Sequence, residues 1–542
     1  MKNVMKKVIA LLCLTSFCFT PSIYAQITSE NINGHFTGSY ENITQYYMKD
    51  TSIGAFPTNE KIASNGFFKL DYNNGNFSSG IQYESYMPAI NGYFAPSVID
   101  ANKSKIVNKY FKYSKEHFYI QAGDFYEQFG SGLIYRSYEN RQIGINNALE
   151  GFKAYVEPTD FMKVKVIYGR TREVFDYSNA LTRGIDAEIN INSLLRIIAT
   201  EKTPTVSIGG SYVSKFQGDY TGTIENFPTT VNAYATRLDF TSNSISINAE
   251  YVDKSKDPHL VNNMSFKKGS AFQVNSSFTK NNFGANISFR SLTNMDFRSN
   301  RNQEFASIGP LNFLPSLTKQ HDNLTSNLYI YNTQPKGESG IQSDVYYTIK
   351  SGTKLGGKYG TTISGNLSYI ESLNDSSELL SFGKTKYFKD ANLEIKKKWN
   401  KKLETTISYQ SIFFKAALQS ASRPNINATV IAGGMIYKFK PKKSLRIKLE
   451  HLSVANDQGN WASALSEFSF SSPYAFFASD LYNYGDTKDH YYNIGTSVTK
   501  QSTRFSLAFG KQRAGLFCVG GVCRFVPAAF GFTASLTTTF SN

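Results

Sequence analysis

The sequence predicts an all-β fold: a transmembrane antiparallel β-barrel of the outer-membrane type, with about 18–22 strands, long extracellular loops and short periplasmic turns. Three observations predict it. The chain closes on a stretch of alternating character, Phe530 to Phe540, which reads F-G-F-T-A-S-L-T-T-T-F. Aromatics are abundant, 35 Tyr and 42 Phe, yet no run after the leader is long and apolar enough for a spanning helix. Tight turns alternate along the chain with much longer connections, the asymmetry that separates the two rims of a membrane barrel.

In the closing stretch, Phe530, Phe532, Ala534, Leu536 and Phe540 share one parity, and Gly531, Thr533, Ser535, Thr537 and Thr539 the other. A strand sends alternate side chains to opposite faces, so one face is apolar and the other small and polar. Its length suits a tilted strand crossing a bilayer core. The aromatic ending resembles the last strand of outer-membrane barrels, which makes Phe540 the expected signal to the barrel insertion machinery.

From the start of the chain, Lys2, Lys6 and Lys7 precede the apolar run Val8 to Phe19, and Ile23-Tyr24-Ala25 offers a cleavage site. This fits a secretory signal peptide cleaved after Ala25, and Cys13 and Cys18 lie within it. The expected organisation is a signal peptide at 1–25, an N-terminal segment with the first strand at 26–65, and a barrel at 66–542. Too little chain precedes residue 66 for a plug domain of the TonB-dependent type. The net charge is +16, three of the cations belonging to the leader. Many lysines cluster at tight turns, as in Lys396-Lys397-Lys398 and Lys440-Pro441-Lys442-Lys443. They read as solvated turn residues beside outer-membrane lipid and lipopolysaccharide head groups. Other envelope proteins are further candidate partners; nucleic acid is not expected for an exported chain.

Hairpins follow in order. Phe68, Leu70 and Tyr72 meet Phe77, Ser79, Ile81 and Tyr83 across Asn73-Asn74-Gly75, a turn sequence. Tyr234 to Phe240 meet Ile245 to Tyr251, Phe272 to Phe278 meet Phe283 to Phe289, and Leu393 to Trp399 meet Leu403 to Tyr409. Between such turns lie longer connections at 88–103, 214–230, 255–268, 414–427 and 455–488. Strand directions stay consistent when 292–340 is one long excursion. The weakest strand assignments are 33–45, 184–191 and 203–213.

Two stretches stand out for function. The first runs from Gly123 through Asp124-Phe125-Tyr126-Glu127-Gln128-Phe129-Gly130-Ser131-Gly132 to Arg141. It does not alternate, and it gathers Glu127, Glu139, Arg136, Arg141, Tyr126, Tyr135 and Tyr138. One reading is a segment folded into the lumen, with opposed charges and tyrosine stacking surfaces forming a constriction; the other is a surface loop with local ion pairs. The second stretch is Cys518-Val519-Gly520-Gly521-Val522-Cys523, where spacing around a Gly-Gly turn in an exported chain favours a disulfide. His451 and Ser453 share an outward-facing parity, as in a barrel phospholipase. H-x-S is a common tripeptide, however, and polar residues at the outer rim are the preferred reading. No catalytic residue, metal or cofactor is expected, and the chain is not expected to be an enzyme.

G-D-F-Y-E-Q-F-G-S-G-L-I-Y-R, from Gly123 to Arg136, resembles a motif of an uncharacterised family of outer-membrane β-barrel proteins of Bacteroidota. So do the stretch from Gly510 to Ala528 and Leu355-Gly356-Gly357-Lys358-Tyr359-Gly360. The resemblance implies a class and a location, the outer membrane of a Gram-negative bacterium, and brings no mechanism. A channel or transporter for an unknown solute is the first functional expectation. A barrel subunit of a larger secretion or insertion machine, with a plugged lumen, is the alternative, and a barrel hydrolase the third.

Overall fold

The computed structural model describes residues 34–57, 60–94, 103–198, 200, 203–218, 227–304, 308–374, 378–470 and 473–542. The expected signal peptide at 1–25, with Cys13, Cys18 and the expected cleavage site, lies outside the described residues.

Strands that are apolar on one face and polar on the other cross a bilayer only when every backbone N–H and C=O finds a partner. The chain meets this condition by closure. Among the described residues, twenty-four strands form one antiparallel sheet. Wall strands pair with their chain neighbours, and the first, His35–Tyr47, pairs with the last, Ala529–Ser541, from Thr37↔Ser541 to Tyr47↔Gly531. The sheet therefore has no free edge.

Twenty-four strands exceed the expected 18–22. The extra pair lies in 455–488, read from the sequence as a connection: it holds the strands Trp461–Phe470 and Tyr474–Asn483. Outward positions in the first of these begin with Ala462, Ala464 and Ser466, and small residues blur the alternation that marks a strand. The assignments 33–45, 184–191 and 203–213 overlap the wall strands His35–Tyr47, Asp176–Asn190 and Thr205–Phe216. Among the described residues the wall starts at His35, and residue 66 lies in the second strand, Ile62–Asn74.

The outer face carries exposed apolar side chains around the circumference, such as Ile185, Tyr234, Ile287, Leu393, Ile407 (64 % exposed) and Leu449 (59 %). An apolar belt of this extent is covered by lipid in a membrane barrel. No helix among the described residues is long and apolar enough to cross a membrane.

The two rims differ. Tight turns at 75–76, 116–117, 160–161, 281–282, 441–442 and 501–502 gather at one, interrupted by longer connections at 191–204 and 350–360. The other carries 48–61, 126–148, 294–336 and 513–528, with one tight turn at 174–175.

The inner face changes character along its height. In Thr230–Thr241, inward residues run from Val231, Ala233 and Ala235 near the long-loop rim to Arg237 and Asp239 below. In Gly269–Lys280 they run from Ala271 to Gln273, Asn275 and Ser277. In these strands the upper wall is thus apolar on both faces, and its inner face must be covered.

Candidate functional site

The cover is made by the chain's own loops. Phe129, Leu133, Ile134 and Tyr135 from one insertion and Met295, Phe297 and Leu311 from another form a single cluster with the wall residues Val213, Val231, Ala233, Val252, Ala271 and Leu292. The second insertion continues across the lumen. Its Leu317, Tyr329 and Tyr331 join Phe388, Phe414, Ile426, Val430, Leu452 and Trp461 on another part of the wall. The upper lumen is therefore a packed core, and 126–148 and 294–336 form its plug.

Local sequence explains how 126–148 turns inward. Gly130 and Gly132 have φ of +52° and +92°, a region costly for other residues. A methyl group on Gly130 would stand 2.7 Å from the Glu250 carboxylate. That carboxylate accepts the N–H of Ser131 at 2.8 Å, so a buried wall acid seats the tip of the insertion. Short ladders, Gln128–Phe129 with Tyr135–Arg136 and Glu139–Asn140 with Ile145–Asn146, fold it back on itself.

The charges expected to oppose one another across a passage do not do so. Glu127 is held by the wall lysines Lys153 (3.4 Å) and Lys165 (3.1 Å). Arg141 bridges Glu139 of its own segment (2.9 Å) and Glu41 of the first strand (3.1 Å). Glu139 also accepts from Gln82 at 2.7 Å. Arg136 lies over the rings of Phe313 (3.9 Å) and Tyr138 (4.7 Å), and the first of these cation–π contacts joins the two insertions. Glu127, Glu139 and Arg141 are paired where they sit, because an unpaired charge in this confined interior is costly. Nor are all the tyrosines stacking surfaces. Tyr135 is buried and donates to Ser137, and Tyr126 donates to Asn146 at 3.0 Å. Tyr138 is covered by Arg136 and meets Phe313 edge-on; burial pushes its hydroxyl up to about 12.

Gly132 and Arg136 apart, the residues that carry the plug's attachment were not marked in the sequence. Phe313 N–H donates to Gly132 O and Arg136 N–H to Leu311 O, which ties the two insertions together. Beyond this junction, His321 meets Asp390 of the wall at 2.6 Å. Glu450 accepts the N–H of Leu324 and both the N–H and hydroxyl of Thr325. Glu338 accepts from the Tyr331 hydroxyl, the Gln334 N–H and Arg290. Elsewhere on the upper wall, Arg172 and Glu84 pair at 2.7 Å and are both buried. Inward acids at the upper ends of strands were the available signal, because an acid beside an apolar inner face needs a donor brought to it.

Cys518 and Cys523 are bonded and close the hairpin Gly515–Val519/Val522–Val526. The hairpin rests on the plug. Gln320 donates to Cys518 O at 2.9 Å and accepts from Gly520 N–H, and Ser316 N–H donates to Gly521 O. Phe540 faces outward against Phe68, with Gly38 opposite leaving room for its ring. His451 and Ser453 also face outward, and the His451 ring meets the Tyr484 hydroxyl at 2.5 Å. Among the described residues no group of His, Cys, Asp and Glu has the arrangement of a metal site.

Below the plug the lumen is polar. Between its underside, Lys319 to Asn323, and the lower wall lies a cavity of roughly 370 Å³.

A model of a family described as "Family of unknown function (DUF6029)" matches residues 5–540. No curated protein matches the chain. Among solved structures, the P pilus usher (PapC) translocation pore is similar at a TM-score of 0.44 and 8 % identity, over 94 % of this chain and 99 % of that one. OccAB4 of Acinetobacter baumannii is similar at 0.38 and 9 %, over 95 % and 99 %. The outer membrane protein opdK of Pseudomonas aeruginosa is similar at 0.37 and 8 %, over 94 % and 99 %.

Proposed function

The chain belongs to DUF6029, a family of unknown function, and from its site we propose an outer-membrane transport barrel whose passage is closed by its own inserted loops. One observation carries the reading: the inner wall is apolar only where the plug covers it, and polar below. A polar lower lumen suits a hydrated vestibule, and a wide barrel without an obstruction would leak. The plug is attached by hydrogen bonds, ion pairs and side-chain packing, with its ends continuous with the wall. It can shift without leaving the molecule. In this reading the tight turns face the periplasm, the signal peptide is removed after Ala25, and 126–148 contributes to the closed passage together with 294–336.

Planar-bilayer recording tests the proposal. The wild-type protein should be closed for most of the time, with brief openings. Replacing Glu250 and Glu450 together by Gln weakens the seats of both insertions and should raise the open fraction at least tenfold. A second reading, a barrel subunit of a larger envelope machine, draws on the same buried plug. A wild-type protein that never conducts, and that leaves native membranes in fixed stoichiometry with other envelope proteins, would replace the first reading by the second.

A further inference from the structure

The cavity beneath the plug contains a contact that a solute can imitate. Asp322 projects from the plug's underside, and its side chain is 69 % exposed. Its two oxygens meet Lys448 at 2.6 Å and Arg446 at 3.0 Å, on adjacent inward positions of the wall strand Lys443–Val454. Arg446 is also held by Glu467 at 3.1 Å, so its guanidinium stays aimed into the lumen. Lys319 and Lys396 complete the basic lining, with Lys396 paired to Glu404 at 2.9 Å. Asp322 is the carboxylate that reaches both cations: without it Arg446 would keep Glu467, and Lys448 would keep the longer contact to Glu450 at 3.7 Å. Asp322 is therefore a carboxylate resident across a seat of two wall cations, reached from the polar lower lumen.

We propose that this seat is a binding site for a small carboxylate solute, which displaces Asp322 from Arg446 and Lys448 and so unfastens the plug. The exchange replaces one carboxylate by another on the same donors. A guanidinium offers paired N–H donors matched to a carboxylate. Asp322 stands just before the stretch seated on Glu450 and just after His321, which contacts Asp390. Its release loosens the middle of three adjacent attachments. The cavity, roughly 370 Å³, is large enough for a dicarboxylate. This inference rests on the transport reading, naming the solute class and the means of opening.

Trp461 lies in the cluster shared by plug and wall, and the chain's only other tryptophan is Trp399. In a Trp399→Phe background, Trp461 fluorescence reports plug movement on the detergent-solubilised full chain, without any membrane. Succinate, inorganic phosphate, glucose and spermidine are titrated, with calorimetry in parallel. Succinate should bind and change the Trp461 signal, and glucose and spermidine should do neither. Asp322→Asn, which removes the resident competitor, should bind succinate at least tenfold more tightly. Arg446→Gln with Lys448→Gln should lose binding at least tenfold, and the milder Lys319→Gln should weaken it severalfold while retaining heat-modifiable mobility. Binding of phosphate with no preference for succinate would overturn the carboxylate assignment. An affinity unchanged in Asp322→Asn, or unchanged in the double variant, would overturn the seat. These outcomes are read without conductance, so a closed channel that binds succinate contradicts only the transport reading, and a conducting channel that does not bind it contradicts only this one.

Discussion

His259 shows how a single residue ties a long loop to pH. It is buried in the connection 255–268, and its Nδ1 accepts the Asn262 N–H that begins a short 3₁₀ turn. Burial lowers its imidazole to about 4; Arg298 and Lys215 push the same way, while Asp257 and Asp296 resist. Its ordinary value is higher, so the released loop binds a proton that the packed loop refuses. Stability from this residue is complete above about pH 6.5 and declines as pH falls toward 4, by up to about 3 kcal/mol. Hydrogen exchange across 255–268, corrected for intrinsic rates, should be faster at pH 5 than at pH 7. His259→Asn keeps an oxygen for the turn but does not titrate, and should abolish the difference. The Glu84–Arg172 pair makes a second residue-scale case. Glu84→Gln would leave Arg172 buried without its counter-charge, at a cost of about 3 kcal/mol. It should lower the Tm of the solubilised barrel by several degrees, and an unchanged Tm would mean that water reaches the site. At the opposite rim, Phe540→Asp places a charge on the lipid face of the closing strand and should reduce the amount of barrel recovered from the outer membrane.

At the scale of elements, the disulfide hairpin is the plug's outer brace, because Cys518 O, Gly520 and Gly521 all meet the segment 316–320. In the chain-entropy model, closing so short a loop restricts the released hairpin by about 2 kcal/mol. Replacing Cys518 and Cys523 by Ser should leave the wall intact, speed proteolysis within 513–528 and make openings more frequent. The closing strand and most hairpins were legible in the sequence because one parity meets lipid and the other water, giving a full contrast at every step. Trp461–Phe470 was not, because its lipid face begins with Ala and Ser. The site was legible in part. The irregular, charge-rich run around Glu127 and Arg141 marked an insertion, and Gly130 and Gly132 turn it. Its partners were hidden, because Glu41, Lys153, Lys165 and Glu250 reach it only once the sheet has closed. A further clue lay in strands such as V-N-A-Y-A, Val231 to Ala235, apolar on the inner parity as well as partly on the outer. A porin strand lined by water has no reason for that pattern.

For the whole molecule, the question is whether the plug moves as one body or as two. The insertions bury their apolar faces in one cluster, and backbone hydrogen bonds and the Arg136–Phe313 contact join them. Residues that share partners in this way do not contribute additively. Three deletions separate the possibilities: 128–146 alone, 296–334 alone and both, each bridged by a short Gly/Ser linker. Closure of the wall does not depend on either insertion, since all twenty-four strands pair with one another. Each variant should therefore still migrate as a heat-modifiable barrel. If the plug is one cooperative body, removing 296–334 strips the cover from the second cluster, takes Phe297 and Leu311 from the first, and leaves 126–148 without its Leu311 and Phe313 contacts. That variant should reach nearly the full steady conductance of the double deletion. Removing 128–146 leaves the second cluster seated on Glu450 and Glu338 and should open the barrel only part of the time. Equal and additive increments from the two single deletions would show two independent gates, and the junction at Gly132 and Phe313 would then be a contact without coupling.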